Sequence, residues 1–142
     1  MPEETFPAWD LVRTAHVVGL RFAETIGSEG LTPTEFAVLV ALADDGGLSS
    51  AEVARRVLVR PQSANTLLNG LSAQGLVVRD GPGGRGRRAG IALTDLGRAT
   101  LERARSPVRA FNAPVALGLT PAQSAMLIEL LDHVRSAMKS DD

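Results

Sequence analysis

Gln62, Ser63, Asn65, Thr66 and Asn69 are uncharged hydrogen-bonding side chains gathered within one short stretch of the chain. On a helix turning about 100° per residue, Gln62, Asn65, Thr66 and Asn69 recur at i, i+3, i+4 and i+7 and share one face. No lysine, glutamate or aspartate interrupts that face. A side-chain amide pairs through two hydrogen bonds with N6 and N7 of adenine in the major groove, and a threonine methyl touches the thymine methyl. Ser63 and Thr66 add hydroxyls that suit base edges or phosphates. The set predicts reading of duplex DNA.

Arginines surround this set. Between Arg55 and Arg88 there are seven basic residues (Arg55, Arg56, Arg60, Arg79, Arg85, Arg87 and Arg88) and one acid, Asp80, a local charge of +6. The remainder holds eight basic and fifteen acidic residues, or −7, so the net charge of −1 hides a basic middle between acidic ends. A polyanionic partner is attracted by that asymmetry rather than by the net charge. Arg55, Arg56 and Arg60 precede the amide face and are expected on phosphates. Arg85, Arg87 and Arg88 lie among glycines, where an arginine at a loop tip can enter the minor groove or neutralise phosphate.

Other chemistry is poorly supplied. The chain has no cysteine and two histidines, His16 and His133, so no thiolate metal site, disulfide or cysteine redox chemistry is available. No Ser/His/Asp or Cys/His set, phosphate loop or metal-ligand spacing appears, and neither an enzyme, a cofactor nor a metal is expected. With 142 residues, 44% of them apolar, the chain is predicted to fold around a real core. No run approaches a membrane span and no basic-then-apolar leader opens the chain, so a cytoplasmic protein is expected.

The elements that must position the arginines and amides follow from start and stop signals. A helix is predicted from about Pro7 to Ile26, with Trp9, Val12, His16, Leu20 and Ala23 at helical steps. Thr32-Pro33-Thr34-Glu35 is a capping-box start for a second helix that turns Phe36, Leu39, Val40 and Ala43 inward and breaks at Asp44-Asp45-Gly46-Gly47. Ser49-Ser50-Ala51-Glu52 opens a short third helix with Val53, Ala54 and Val57 inside. Leu58-Val59-Arg60 is a tight connection, and Pro61 starts the amide-bearing helix, which runs to about Gln74 and stops at Gly75. Two short helices joined by such a turn are a helix-turn-helix. Leu76–Arg79 and Gly90–Thr94 read as strands flanking a glycine-rich loop, a β-hairpin wing.

Gly70, in the middle of the amide-bearing helix, costs roughly 1 kcal/mol relative to alanine and points to a close approach by backbone or another helix. Thr94 caps a further helix with Leu96, Ala99, Leu101 and Ala104 as its apolar positions, leaving the effect of Pro107 open. Thr120-Pro121-Ala122-Gln123 opens a last helix striped by Leu127, Leu130, Leu131, Val134 and Met138. The fold class expected is α+β, mainly α: a winged helix-turn-helix, the DNA-binding region, over residues 32–95, with an N-terminal helix in residues 1–31 and C-terminal helices in residues 96–142.

Gly30-Leu31-Thr32-Pro33-Thr34-Glu35-Phe36-Ala37-Val38-Leu39, Leu71-Ser72-Ala73-Gln74-Gly75-Leu76-Val77 and Arg87…Ile91-Ala92-Leu93-Thr94-Asp95-Leu96-Gly97 together resemble the MarR family of regulators over essentially the whole chain. The resemblance implies a triangular homodimer in which residues 1–31 and 96–142 are the flanking dimerisation helices, and which represses by covering an inverted-repeat operator, with release by a small, often phenolic or aromatic effector. Such a dimer would also cover apolar flanks that bury poorly in a monomer this small and set two reading helices about one DNA turn apart. Trp9, Arg13, His16 and Phe36 are the candidate pocket residues for such an effector. The alternatives are ordinary core or interface positions and, for Arg13, an ion pair with Asp10 or with a subunit neighbour. Family wings commonly read Asp-x-Arg, whereas Arg85 stands here where the aspartate would be, two residues before Arg87. Relatives also often carry Thr-Arg where this chain has Asn65-Thr66, so sequence preference is not transferable. The competing function is a winged-helix module binding protein or RNA without an operator.

Overall fold

The computed structural model describes residues 4–79 and 90–139. In chain order the elements are α1 (Pro7–Gly27), α2 (Pro33–Asp44), α3 (Ser50–Val57), α4 (Pro61–Ala73), β1 (Val77–Arg79), β2 (Ile91–Leu93) and α5 (Asp95–Asn112). A 3-10 turn, Pro114–Leu117, then leads to α6 (Pro121–Met138). The predicted class and order of elements are the observed ones, with both strands shorter than the sequence suggested.

Side-chain caps start four of the helices. Thr32 and Thr120 form reciprocal boxes with Glu35 and Gln123, each side chain holding the other's backbone N–H. Ser49 accepts from the Glu52 N–H, but its hydroxyl donates to the Glu52 carboxylate at 3.0 Å, so the predicted reciprocal box is replaced by a side-chain pair. Thr94 accepts from the Gly97 N–H and donates to the Gly75 carbonyl, tying the start of α5 to the end of α4.

The core lies where α2, α3, α4, α5 and the strands meet. Ile26, Val38, Leu39, Val53, Leu68 and Leu71 are its largest fully buried side chains. On α2 the buried face is Val38, Leu39, Ala41 and Leu42, while Phe36, Val40 and Ala43 are only partly buried, a rotation from the predicted face. The helix is apolar nearly all round, so its sequence did not single out one face. On α5 the buried positions are Gly97, Thr100, Leu101 and Ala104, whereas Leu96 and Ala99, predicted inward, are exposed. The phase of α5 is set by a close approach: a Cβ on Gly97 would stand 2.1 Å from the Leu76 carbonyl oxygen. Only a glycine lets α5 lie against the strand entry. α5 continues through Pro107 to Asn112.

α1 and α6 carry the predicted apolar stripes, yet little covers them. Ile26 is the one buried residue of α1, and α6 has none. Trp9, Val12 and Leu20 on α1 and Leu127, Leu130, Val134 and Met138 on α6 are exposed. Phe22 is the anchor of α1, meeting Phe36 edge-on at 5.9 Å between ring centroids and Phe111 at 5.4 Å. No helix among the described residues is long and apolar enough to cross a membrane.

Candidate nucleic-acid interface

α4 is two-sided as its spacing predicts. Ala64, Leu68 and Leu71 are buried and Leu67 partly so, while Gln62, Ser63, Asn65, Thr66 and Asn69 are all exposed. The Thr66 hydroxyl donates to the Gln62 carbonyl at 3.1 Å, which leaves its oxygen as an acceptor and fixes its rotamer. Unlike α2, α3, α5 and α6, α4 has no side-chain cap: Arg60 occupies the cap position and Pro61 the first turn.

The other end of α4 is held tightly. The Gly75 N–H donates to the Ser72 carbonyl and the Leu76 N–H to the Leu71 carbonyl, with Gly75 at φ +76°, a Schellman stop. The Gln74 amide donates to one Glu35 oxygen at 3.3 Å while the other Glu35 oxygen caps α2. Neither the Gln74–Glu35 nor the Thr94–Gly75 contact was foreseen from sequence, because each joins residues far apart along the chain.

The turn before α4 contains a strained residue. Leu58 ends α3 with φ 58° and ψ 43°, the left-handed region, and its side chain is 71% exposed. A residue with a Cβ pays roughly 1–2 kcal/mol there.

The arginines divide into two kinds. Arg55 and Arg60 are exposed and have no ion pair among the described residues. Arg56 is paired with Asp45 of the α2–α3 loop. The hydrogen bond and the charge of Asp45 push the Arg56 guanidinium further above its ordinary range, with Asp44 and Glu52 adding to the effect. Asp45 was not anticipated as a partner, since nothing local marks a contact across eleven residues.

At the wing base, β1 and β2 are antiparallel, with Val77 opposite Leu93, Val78 opposite Ala92 and Arg79 opposite Ile91. The Ile91 N–H donates to the Leu48 carbonyl at 2.9 Å, so the α2–α3 loop adds a bridge to the hairpin. Thr94 N–H donates to Leu76 at 3.1 Å and closes the base. Arg85, Arg87 and Arg88 lie outside the described residues, within the segment joining β1 to β2.

The residues considered for an effector are spread over α1 and α2, and of them only Arg13 lines the hollow on α1. Arg13 lines a hollow of about 310 Å³ on α1 with Asp10, Thr14, Val17 and Val18, and stands 3.6 Å from the Asp10 carboxylate. Trp9 and His16 are exposed elsewhere on the same helix, and Phe36 packs on Phe22. At about 1.5 Å per residue, Trp9 and Phe22 are roughly 20 Å apart along α1.

A family model described as MarR family matches residues 29–89. The chain is 37% identical over 126 residues to the HTH-type transcriptional repressor Rv2887 of Mycobacterium tuberculosis, spanning 89% of this chain and 91% of that protein. Crystal structures of Rv2887 with DNA and with salicylic acid each superpose with a TM-score of 0.73 at 34% identity. They cover 92% and 94% of this chain and 98% and 99% of theirs, respectively. The transcriptional repressor CouR, solved bound to a 23-mer DNA duplex, superposes with a TM-score of 0.82 at 26% identity, over 92% of each chain.

Proposed function

The chain belongs to the MarR family, and from that premise we propose that it is a transcriptional repressor that binds an inverted-repeat operator in duplex DNA as a homodimer and is released by a small aromatic effector. The observation that carries the reading is α4, whose exposed face offers Gln62, Ser63, Asn65, Thr66 and Asn69 while Ala64, Leu68 and Leu71 fix the opposite face in the core. A helix held this way presents amides and hydroxyls to base edges in the major groove. Arg60 at the start of α4 and Arg55 on α3, exposed and without an ion pair among the described residues, are cations for phosphate, and the uncapped start of α4 offers backbone N–H groups to the same partner. Arg85, Arg87 and Arg88 add three further positive charges in the sequence between β1 and β2. Rv2887 and CouR, which share the fold, have both been solved with DNA.

The homodimer rests on the apolar faces of α1 and α6 that the single chain leaves bare. Two-fold pairing through them would bury these stripes and give the operator its symmetry. The effector reading rests on the hollow beside Arg13, where an aromatic acid would meet Val17 and Val18 and compete with Asp10 for the guanidinium, and on Rv2887 having been solved with salicylic acid. Trp9 and His16 stay in this reading as residues of the same helix, whereas Phe36, on α2 and packed against Phe22, lies outside the hollow.

Selection from a random pool of duplexes, followed by binding titrations at several salt concentrations, tests the proposal. The expected outcome is an enriched inverted repeat and an affinity that falls linearly in log–log form with salt. Failure to enrich any duplex, or binding with no salt slope, overturns it.

A further inference from the structure

Gly70 lies in the last turn of α4, three residues before its end rather than in its middle as the sequence suggested, and is exposed. Glycine is the poorest helix former after proline, so within the chain it needs a reason. The usual one is a neighbour too close for a Cβ, as at Gly97. Gly70 is the opposite case: a Cβ built there meets no atom within 4 Å among the described residues. Its φ is not positive, so alanine fits the backbone equally well. The folded chain therefore pays for this glycine without using it.

Its position says what would use it. Gln62, Thr66 and Gly70 stand at i, i+4 and i+8, one ridge along the exposed surface of α4. Gln62 and Thr66 bear the groups assigned above to base edges, and Gly70 continues their line toward the end of the helix, about 80° around from Gln62. A helix inserted by its first turns into a groove about 12 Å wide must pass a sugar–phosphate strand farther along. Glycine is the residue that lets a backbone approach a ligand closely.

We propose that Gly70 is a close-approach position at which the backbone of α4 seats against a sugar–phosphate strand of the duplex, setting how deeply Gln62 and Thr66 reach into the groove. This rests on the DNA-binding reading above. Stability and binding should consequently move in opposite directions on substitution, because alanine and leucine are better helix formers than glycine but occupy the space the strand needs.

Gly70→Ala and Gly70→Leu, measured in the full-length protein against a duplex selected by the unsubstituted protein, test the idea. Thermal unfolding should show Tm raised by about 3 °C in both. Affinity for the duplex should fall about tenfold with alanine and further with leucine. Unchanged or tighter binding in either variant overturns the proposal, and so does a lowered Tm, which would place the need for glycine inside the protein. If the unsubstituted protein shows no salt-dependent duplex binding, the DNA-binding reading itself has failed and Gly70 falls with it. Retained binding by the unsubstituted protein beside full-strength variants refutes the role of Gly70 alone.

Discussion

Arg56 and Arg60 are both surface arginines near α4, yet they should respond differently to salt. Arg60 is exposed with no ion pair among the described residues, whereas Arg56 is already held by Asp45. A free arginine that neutralises one phosphate contributes about 0.9 to the slope of log affinity against log salt. A symmetric dimer presents two copies, so Arg60→Ala should flatten the slope by about 1.8. Between about 50 and 200 mM salt that difference amounts to roughly twelvefold in affinity. Arg56 must release a carboxylate before it takes a phosphate, so little counterion is freed, and Arg56→Ala should change the slope by less than half as much. Asp45→Asn is the mirror experiment: it frees Arg56, steepens the slope and tightens binding at low salt. Asp45 raises the Arg56 pKa above its already alkaline range, so the cation persists at every pH up to that range and the contrast holds from about pH 6 to 9. Fluorescence anisotropy at four salt concentrations reads all three variants. Equal slopes for Arg56→Ala and Arg60→Ala, or no response to Asp45→Asn, would refute the distinction.

Gly97→Ala forces a Cβ to within 2.1 Å of the Leu76 oxygen that also accepts from Thr94, and should cost about 3 kcal/mol in urea unfolding; a loss below about 1 kcal/mol would show that α5 moves away freely. Leu58→Gly relieves a left-handed residue whose side chain is exposed, and after the entropy of glycine is offset should raise stability by about 0.5 kcal/mol; a destabilised variant would mean that the leucine is covered in the assembled protein. Thr32→Ala removes one arm of the capping box at α2 and should cost about 1 kcal/mol, with an unshifted unfolding midpoint as the contrary result. Leu130→Glu places a charge on the bare stripe of α6; sedimentation should show monomers and titration a loss of operator binding, and a stable dimer would move the interface elsewhere.

What the sequence made legible was local. The boxes at Thr32–Glu35 and Thr120–Gln123 span three residues, and the two faces of α4 follow from one helical period. Contacts between distant segments were not legible: Arg56 with Asp45, Gln74 with Glu35, and Thr94 with Gly75 have no signature in composition or spacing. The inward face of α5 was misread at Leu96 and Ala99 because periodicity gives the spacing of a stripe and not its phase, which the Gly97–Leu76 approach decides. Leu58 carries no mark of its left-handed backbone, since glycine or asparagine is the usual signal there. The stripes on α1 and α6 were read correctly as apolar, but a stripe says nothing of what covers it.

That last point joins folding to DNA reading. α1 has 21 residues and α6 has 18, and between them they bury only Ile26 within the chain. A helix draws most of its stability from packing an apolar face, so α6 standing alone would be marginal in water. In the proposed dimer the same contact that covers α6 fixes the distance between two copies of α4. Each α4 is rigidly seated, by the core on one side and by Glu35 and Thr94 at its end. The separation of the two reading helices is then set by the arms, not by α4 itself. The ligand proposed beside Arg13 would sit on α1, within those proposed arms, and could change operator affinity only by binding one arm arrangement more tightly than another. Dilution below the dimer constant should have the same consequence as the proposed ligand, because each would withdraw the second α4 from its half-site.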